Sequence, residues 1–316
     1  VYVGIAASCL PLWSVGALGA VGSSAVATAS QYPGGVSAVA TSSANLTPPS
    51  TPSRPSRTPM PTFVPTPAPT FVPTPAPYRS AAVPAPDKRR IYHVPILMYH
   101  RVVPVSEAGK SMPHLVVPPA IFALQMKAFS DAGWHTITMA TLAQDMETNV
   151  SIPARTFVIT FDDGWYDGFD YAFPIMRDYG FVGTYYVIGS RIGRKDFLSA
   201  DQLRTLEAAG DDIGNHTEDH FSLPGNSADR IRREVDDASR EIQQAVGQRP
   251  VTLAYPMGGV NAFVMQSVML GVPDIKLAVT TWYGAKESWQ TRLSTPRVRV
   301  DSTTDGPGLV ASLSAA

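Results

Sequence analysis

Thr156-Phe157-Val158-Ile159-Thr160-Phe161-Asp162-Asp163-Gly164 is the stretch on which the fold turns. Its first six residues are all aromatic or β-branched and read as a strand buried on both faces, as in parallel sheets covered by helices. Two adjacent carboxylates and a glycine end it. Neighbouring Asp residues at a strand's C-terminal end repel each other, and a bound cation is the usual means of keeping both ionised at neutral pH. A plain Asp-Asp-Gly turn accounts for the same residues, so the motif needs support from elsewhere in the chain.

From Ile91 onward, short apolar runs alternate with helical periods, the mark of βα units and a mostly parallel sheet. The pattern predicts strands over 94–99, 156–161, 183–187, 212–215, 251–255, 277–280 and 297–300. A helix over 228–246 carries Ile231, Val235, Ala238, Ile242 and Ala245 as one apolar stripe, which is core and not chemistry. About seven such units predict an α/β fold, a distorted or incomplete (β/α) barrel with its functional groups gathered where the strands end.

A second cluster, Gly214-Asn215-His216-Thr217-Glu218-Asp219-His220, also follows a short apolar strand. On a helical turn, imidazoles four residues apart share one face and reach one metal ion. With an Asp of the first cluster they form a three-ligand set that leaves a position for water, the arrangement of a catalytic metal site. The second Asp then stands ready to take that water's proton. A third cluster, Ala254-Tyr255-Pro256-Met257-Gly258-Gly259, is either a simple loop or a source of backbone N–H groups for a developing oxyanion. In the fourth, Pro95 to Val102, an apolar strand ends in Tyr99-His100; a lone histidine there is more often structural.

The 86 residues before Asp87 contain no acidic side chain and three arginines, Arg54, Arg57 and Arg79. The remainder holds 22 basic and 26 acidic side chains, a formal charge of −4, which excludes a phosphate-backbone partner as the expected ligand. The single cysteine, Cys9, lies in the apolar N-terminal stretch, so metal ligands in the body must be His, Asp or Glu. Residues 1–46 are expected to be an apolar leader or membrane anchor with a small-residue segment, and Ile5 to Cys9 loosely resembles a lipoprotein cleavage site. Residues 47–90 form a linker: 14 of the 29 prolines fall between Thr47 and Pro86, and an octapeptide beginning at Thr62 repeats at Thr70. Such a segment is expected to be an extended, disordered spacer. Residues 91–316 are expected to be the catalytic domain, monomeric and extracellular or held at the cell envelope. Gly189 to Lys195 is one residue short of a P-loop and is followed by Asp196, which disfavours a nucleotide enzyme.

Taken in order, Thr160–Gly164, His216–His220 and Tyr255–Gly258 resemble the successive motifs of the polysaccharide deacetylases, the NodB-homology or carbohydrate esterase family 4 enzymes. The resemblance implies one divalent metal ion, commonly zinc, held by Asp163, His216 and His220, with Asp162 as the base that activates water and the Met257 backbone N–H serving the oxyanion. It implies an N-acetylated polysaccharide as substrate and acetate as product. The chain departs from the family in two places. Ala254 and Tyr255 precede Pro256 where an arginine is usual, and no histidine follows His220. The branch acting on poly-β-1,6-N-acetylglucosamine is similar in having a strand that ends in Tyr-His, which implies His100 as the general acid; Leu293 to Val300 looks like that branch's closing strand. A metal-dependent hydrolase of a small amide or imide, or a non-catalytic glycan-binding relative, would keep the same barrel.

Overall fold

The computed structural model describes residues 85–109 and 113–315. The leader, Cys9 and most of the proline-rich linker lie outside the described residues. Ten strands are present among the described residues: β1 (Ile96–Tyr99), β2 (Arg101–Val102), β3 (Val116–Val117), β4 (His135–Thr136), β5 (Thr156–Phe161), β6 (Thr184–Val187), β7 (Asp212–Asn215), β8 (Thr252–Ala254), β9 (Leu277–Tyr283) and β10 (Thr295–Arg299). The α-helices are α1 (Pro119–Asp131), α2 (Met139–Thr148), α3 (Phe173–Asp178), α4 (Ala200–Ala208), α5 (Ala228–Val246), α6 (Ala262–Gly271) and α7 (Gly306–Ser314).

Seven parallel strands close into a barrel in the order β1, β10, β9, β8, β7, β6, β5, because β1 pairs with both β10 and β5. Strand β4 adds to the outside of this ring through β5. The expected (β/α) barrel of seven units is therefore what the chain forms. All seven expected strands are present, and the largest boundary differences are at β9, which runs three residues further, at β10, which starts two residues earlier, and at β1, which starts two residues later. The predicted helix is α5, and all five of its stripe residues are buried.

The two-residue period of the strands divides the apolar side chains between the barrel interior and the layers outside it. Ile96, Val158, Tyr186, Ala254, Leu277 and Val279 fill the barrel interior. Their neighbours Leu97, Phe157, Ile159, Phe161, Tyr185 and Val298 face outward into the layer that includes residues of α1, α3 and α4. Gly214 is required where it stands, since a Cβ there would lie 2.4 Å from the Tyr186 ring that occupies the interior.

At the strands' N-terminal end, Tyr92 and Glu287 form an antiparallel bridge. Glu287 is 1 % exposed; its Oε2 accepts from the Val94 N–H at 3.1 Å, and its Oε1 meets no hydrogen-bond partner among the described residues. Burial pushes its pKa up to about 8. The folded protein thus keeps a proton that the unfolded chain releases near pH 4.5, so this residue makes stability fall as pH rises from about 4.5 to about 8. Glu287→Gln preserves the acceptor without the charge. It is expected to raise the melting temperature at pH 8 and to flatten the decline over that interval; identical pH profiles for variant and wild type would remove Glu287 as the cause.

Candidate active site

The period that builds the core also delivers the site. Val158, Thr160 and Asp162 form one inward-facing series at the end of β5, and Thr295 and Arg297 form another on β10. Arg297 is fully buried, and its two terminal nitrogens donate to the two oxygens of Asp162, each at 2.7 Å. It also donates to Thr160 Oγ1 at 3.0 Å and, through Nε, to the Thr280 carbonyl at 2.9 Å. Burial would raise the Asp162 carboxyl, but the guanidinium outweighs it and pulls the pKa down to about 2. Asp162 is therefore ionised at any working pH.

Asp163 would face outward if the strand continued. Its φ of +75° ends the extended run and directs the carboxylate across the strand ends. Asp163 Oδ1 lies 3.5 Å from His216 Nε2 and 3.3 Å from His220 Nε2, and one donor atom from each of the three side chains falls within 4.8 Å of the others. The imidazole pair is not brought together by a helical turn, as its spacing suggested. Thr217 and His220 have φ of +62° and +57°, so the segment is a folded loop. It is pinned from outside: Asn215 Oδ1 accepts from the Thr217 N–H, and α5 offers the Glu234 carbonyl to the Glu218 N–H. Four non-glycine residues of the candidate site, with Met257 at +56°, thus have left-handed backbones. Strained conformations of this kind persist only where the surroundings over-determine them, and they gather at active sites.

The donor set fits a divalent cation in chemistry as well as in position. His216 Nδ1 lies 2.7 Å from the Ala254 carbonyl, which can only accept, so Nδ1 carries the hydrogen and the Nε2 lone pair faces Asp163. A neutral histidine oriented by a backbone carbonyl is the usual form of a metal ligand. Without a cation, burial opposes charge on His216, but the two aspartates outweigh it and raise its pKa. Asp163 is held well below the usual carboxylate range, its burial outweighed by the two histidines.

His100 follows β1, with its Nε2 3.9 Å from Asp162 Oδ2. Its pKa is lowered, burial outweighing the opposing pull of Asp162 and Asp163. Met257 sits in the turn after β8 and is 64 % exposed. The N–H groups of Gly258 and Gly259 are taken up by the Tyr255 and Pro256 carbonyls. All six expected site residues therefore lie at the C-terminal ends of barrel strands or in the segments that follow them. Arg297 was not anticipated as a site residue; it stands inside the segment read as a closing strand. Asp162, which it holds, is 135 residues away in sequence, so the only available signal was an arginine alternating with apolar residues in a buried strand.

A closed parallel barrel carrying two histidines and two aspartates at its strand ends defines the chain as a barrel enzyme with a potential metal centre. The family model for polysaccharide deacetylase matches residues 149–269. YxkH of Bacillus subtilis strain 168, which bears the polysaccharide deacetylase name, is 30 % identical over 213 residues, 67 % of this chain and 73 % of that protein. The deacetylase PplD of Streptococcus pyogenes, solved with acetate, superposes with a TM-score of 0.63 at 26 % identity over 72 % of this chain and 99 % of that one. IcaB of Ammonifex degensii shares the fold, with a TM-score of 0.61 at 22 % identity over 71 % of this chain and 97 % of its own. The chain belongs to the polysaccharide deacetylase family.

Removing one member of a buried ion pair leaves an uncompensated charge and costs about 3–5 kcal/mol. Arg297→Met is expected to lose stability on that scale in urea unfolding, and Asp162→Asn combined with Arg297→Met to recover part of it. A single variant within about 1 kcal/mol of wild type would show that the pair does not hold these strands.

Proposed function

We propose that this chain is an exported, metal-dependent N-deacetylase acting on an N-acetylglucosamine-containing polysaccharide, most similar in its site to the poly-β-1,6-N-acetylglucosamine branch. The convergence of Asp163, His216 and His220 beside the Arg297-held Asp162 carries the reading. Membership in a family of polysaccharide deacetylases supports the substrate class, and Tyr99-His100 with the closing β10 supports the branch. Export and placement at the cell envelope are supported by the uncharged, apolar N-terminal segment and the proline-rich sequence after it, and the domain is read as a monomer.

A divalent ion, zinc on this reading, would be held by Asp163, His216 and His220, and would polarise the acetamide carbonyl and acidify a water. Asp162, always ionised, accepts the proton of the attacking water. The new bond joins that water's oxygen to the carbonyl carbon, and the Met257 N–H is offered to the negative charge that grows on the carbonyl oxygen. His100 donates a proton to the sugar nitrogen as the carbon–nitrogen bond breaks, giving acetate and a free amine. Its lowered pKa makes the protonated form a minor one in the resting protein and a strong donor when it occurs.

Asp162→Asn is expected to bind metal as wild type does while kcat on N-acetylglucosamine oligomers falls by roughly 10²–10⁴; near-normal turnover would place the base elsewhere. Acetate release from defined N-acetylglucosamine polymers, peptidoglycan and chitin oligomers identifies the polymer. For His100→Ala, the amide rate is expected to collapse while hydrolysis of an activated acetate ester, whose leaving group needs no proton, largely survives. Equal losses on both substrates would make His100 a structural or substrate-positioning residue.

A further inference from the structure

The residue after the Asp-Asp-Gly turn, Trp165, has no part in the reading above, yet its indole N–H donates to Asp163 Oδ2 at 3.1 Å. Asp163 Oδ1 is the oxygen that faces both imidazoles. The two carboxylate oxygens are thus divided, one held by the indole and the other turned toward the histidines.

Trp165 is itself clamped on both faces. Phe197 stacks on one side, with ring centroids 4.6 Å apart and planes 24° from parallel, and the two residues form an antiparallel backbone bridge. The Arg101 guanidinium lies over the Trp165 ring, 4.5 Å from its centroid. Arg101 is 6 % exposed and is anchored by the fully buried Asp167, whose Oδ2 accepts from Nε at 2.7 Å. On the far side, Arg191 lies 5.0 Å from the Phe197 centroid. This stack of Arg101, Trp165, Phe197 and Arg191 leaves the indole little freedom to rotate, so the direction of its N–H is fixed. The flanking backbone is tied down as well: the Gly164 carbonyl accepts from the Leu198 N–H at 2.9 Å, and the Tyr166 N–H donates to the Asp196 carbonyl at 3.1 Å.

We propose that Trp165 is a positioning residue for the metal centre, an indole donor that fixes the Asp163 carboxylate so that Oδ1 alone is presented to a divalent cation. The inference rests on the metal-site reading above. Hydrogen bonds from outside a metal's ligand set orient the ligands, and losing one typically costs about 10–100-fold in affinity.

The test uses the full chain freed of metal. Trp165→Phe keeps a ring for the stack and removes the N–H. It is expected to bind Zn²⁺ about 10–100-fold more weakly in competition with a chromogenic chelator, with the metal-free melting temperature unchanged. Saturating metal should restore most of kcat. A merely structural Trp165 would give the reverse, a lower metal-free melting temperature with wild-type affinity, and that result overturns the proposal. A second measurement uses wild type alone. With ¹⁵N-labelled tryptophan and Co²⁺, one indole N–H resonance should carry a hyperfine shift, because its proton is hydrogen-bonded to a ligand carboxylate. If Co²⁺ binds and no indole resonance shifts, the proposal fails while the metal site stands; if wild type binds no divalent ion, both readings fail.

Discussion

The two-pronged bond between Arg297 and Asp162 is the contact around which the rest of the molecule is arranged. It joins β10 to β5 across β1, the strand that closes the barrel. Both charges are withdrawn from water, and a buried guanidinium is tolerable only if its donors are satisfied. Asp162, Thr160 and the Thr280 carbonyl supply those acceptors, so two strands besides its own, β5 with the turn after it and β9, converge on one side chain. Beneath it the Tyr186 ring fills the interior, with Gly214 left bare to admit it. The pair acts as the lid of the inner core and the floor of the site.

That floor explains how the rim can carry so much local strain. Asp163, Thr217, His220 and Met257 all hold backbones that residues with a Cβ rarely adopt. A loop under that strain would relax if it were tethered only at its ends. Here each segment is tied to a rigid neighbour: Asp163 to Trp165, the His216–His220 loop to Asn215 and α5, and the turn around Met257 to β9, where Gly258 packs so closely on Thr281 that no side chain would fit. The left-handed residues are what let side chains from β5 and β7 reach one point instead of alternating away from each other.

Most of the fold was legible because its signals are local. Strand positions follow from apolar runs, and α5 from the stripe Ile231, Val235, Ala238, Ile242 and Ala245, each set by a period of two or 3.6 residues. The site was legible in part for the same reason, since Asp162, Asp163, His216 and His220 stand at the ends of such runs. What escaped depends on distant closure. Nothing near Arg297 marks it as the partner of Asp162, and nothing near Trp165 shows that Arg101 will cover one face of its ring. The helical reading of His216 and His220 failed for a different reason. Identical spacing serves a helical turn and a loop with two left-handed residues, and neither Thr217 nor His220 is a glycine that would have announced the positive φ.

The proton affinities of the site bear on how the proposed hydrolysis runs. A carboxylate with a pKa of about 2 is a weak base, and holding it so firmly would seem to work against catalysis. Yet a stronger base in this position would carry a proton part of the time and would keep one once taken. The reaction needs a proton removed from water and a proton delivered to the amine within a single turnover. His100 lies beside Asp162, and its lowered pKa makes it a group that also does not retain a proton in the resting state. In the proposed hydrolysis neither residue is the proton's final holder, and its destination is the amine being released. The Arg297 contact that ties β10 to β5 thereby leaves Asp162 ionised, in the state that the proposed hydrolysis needs in order to accept a proton.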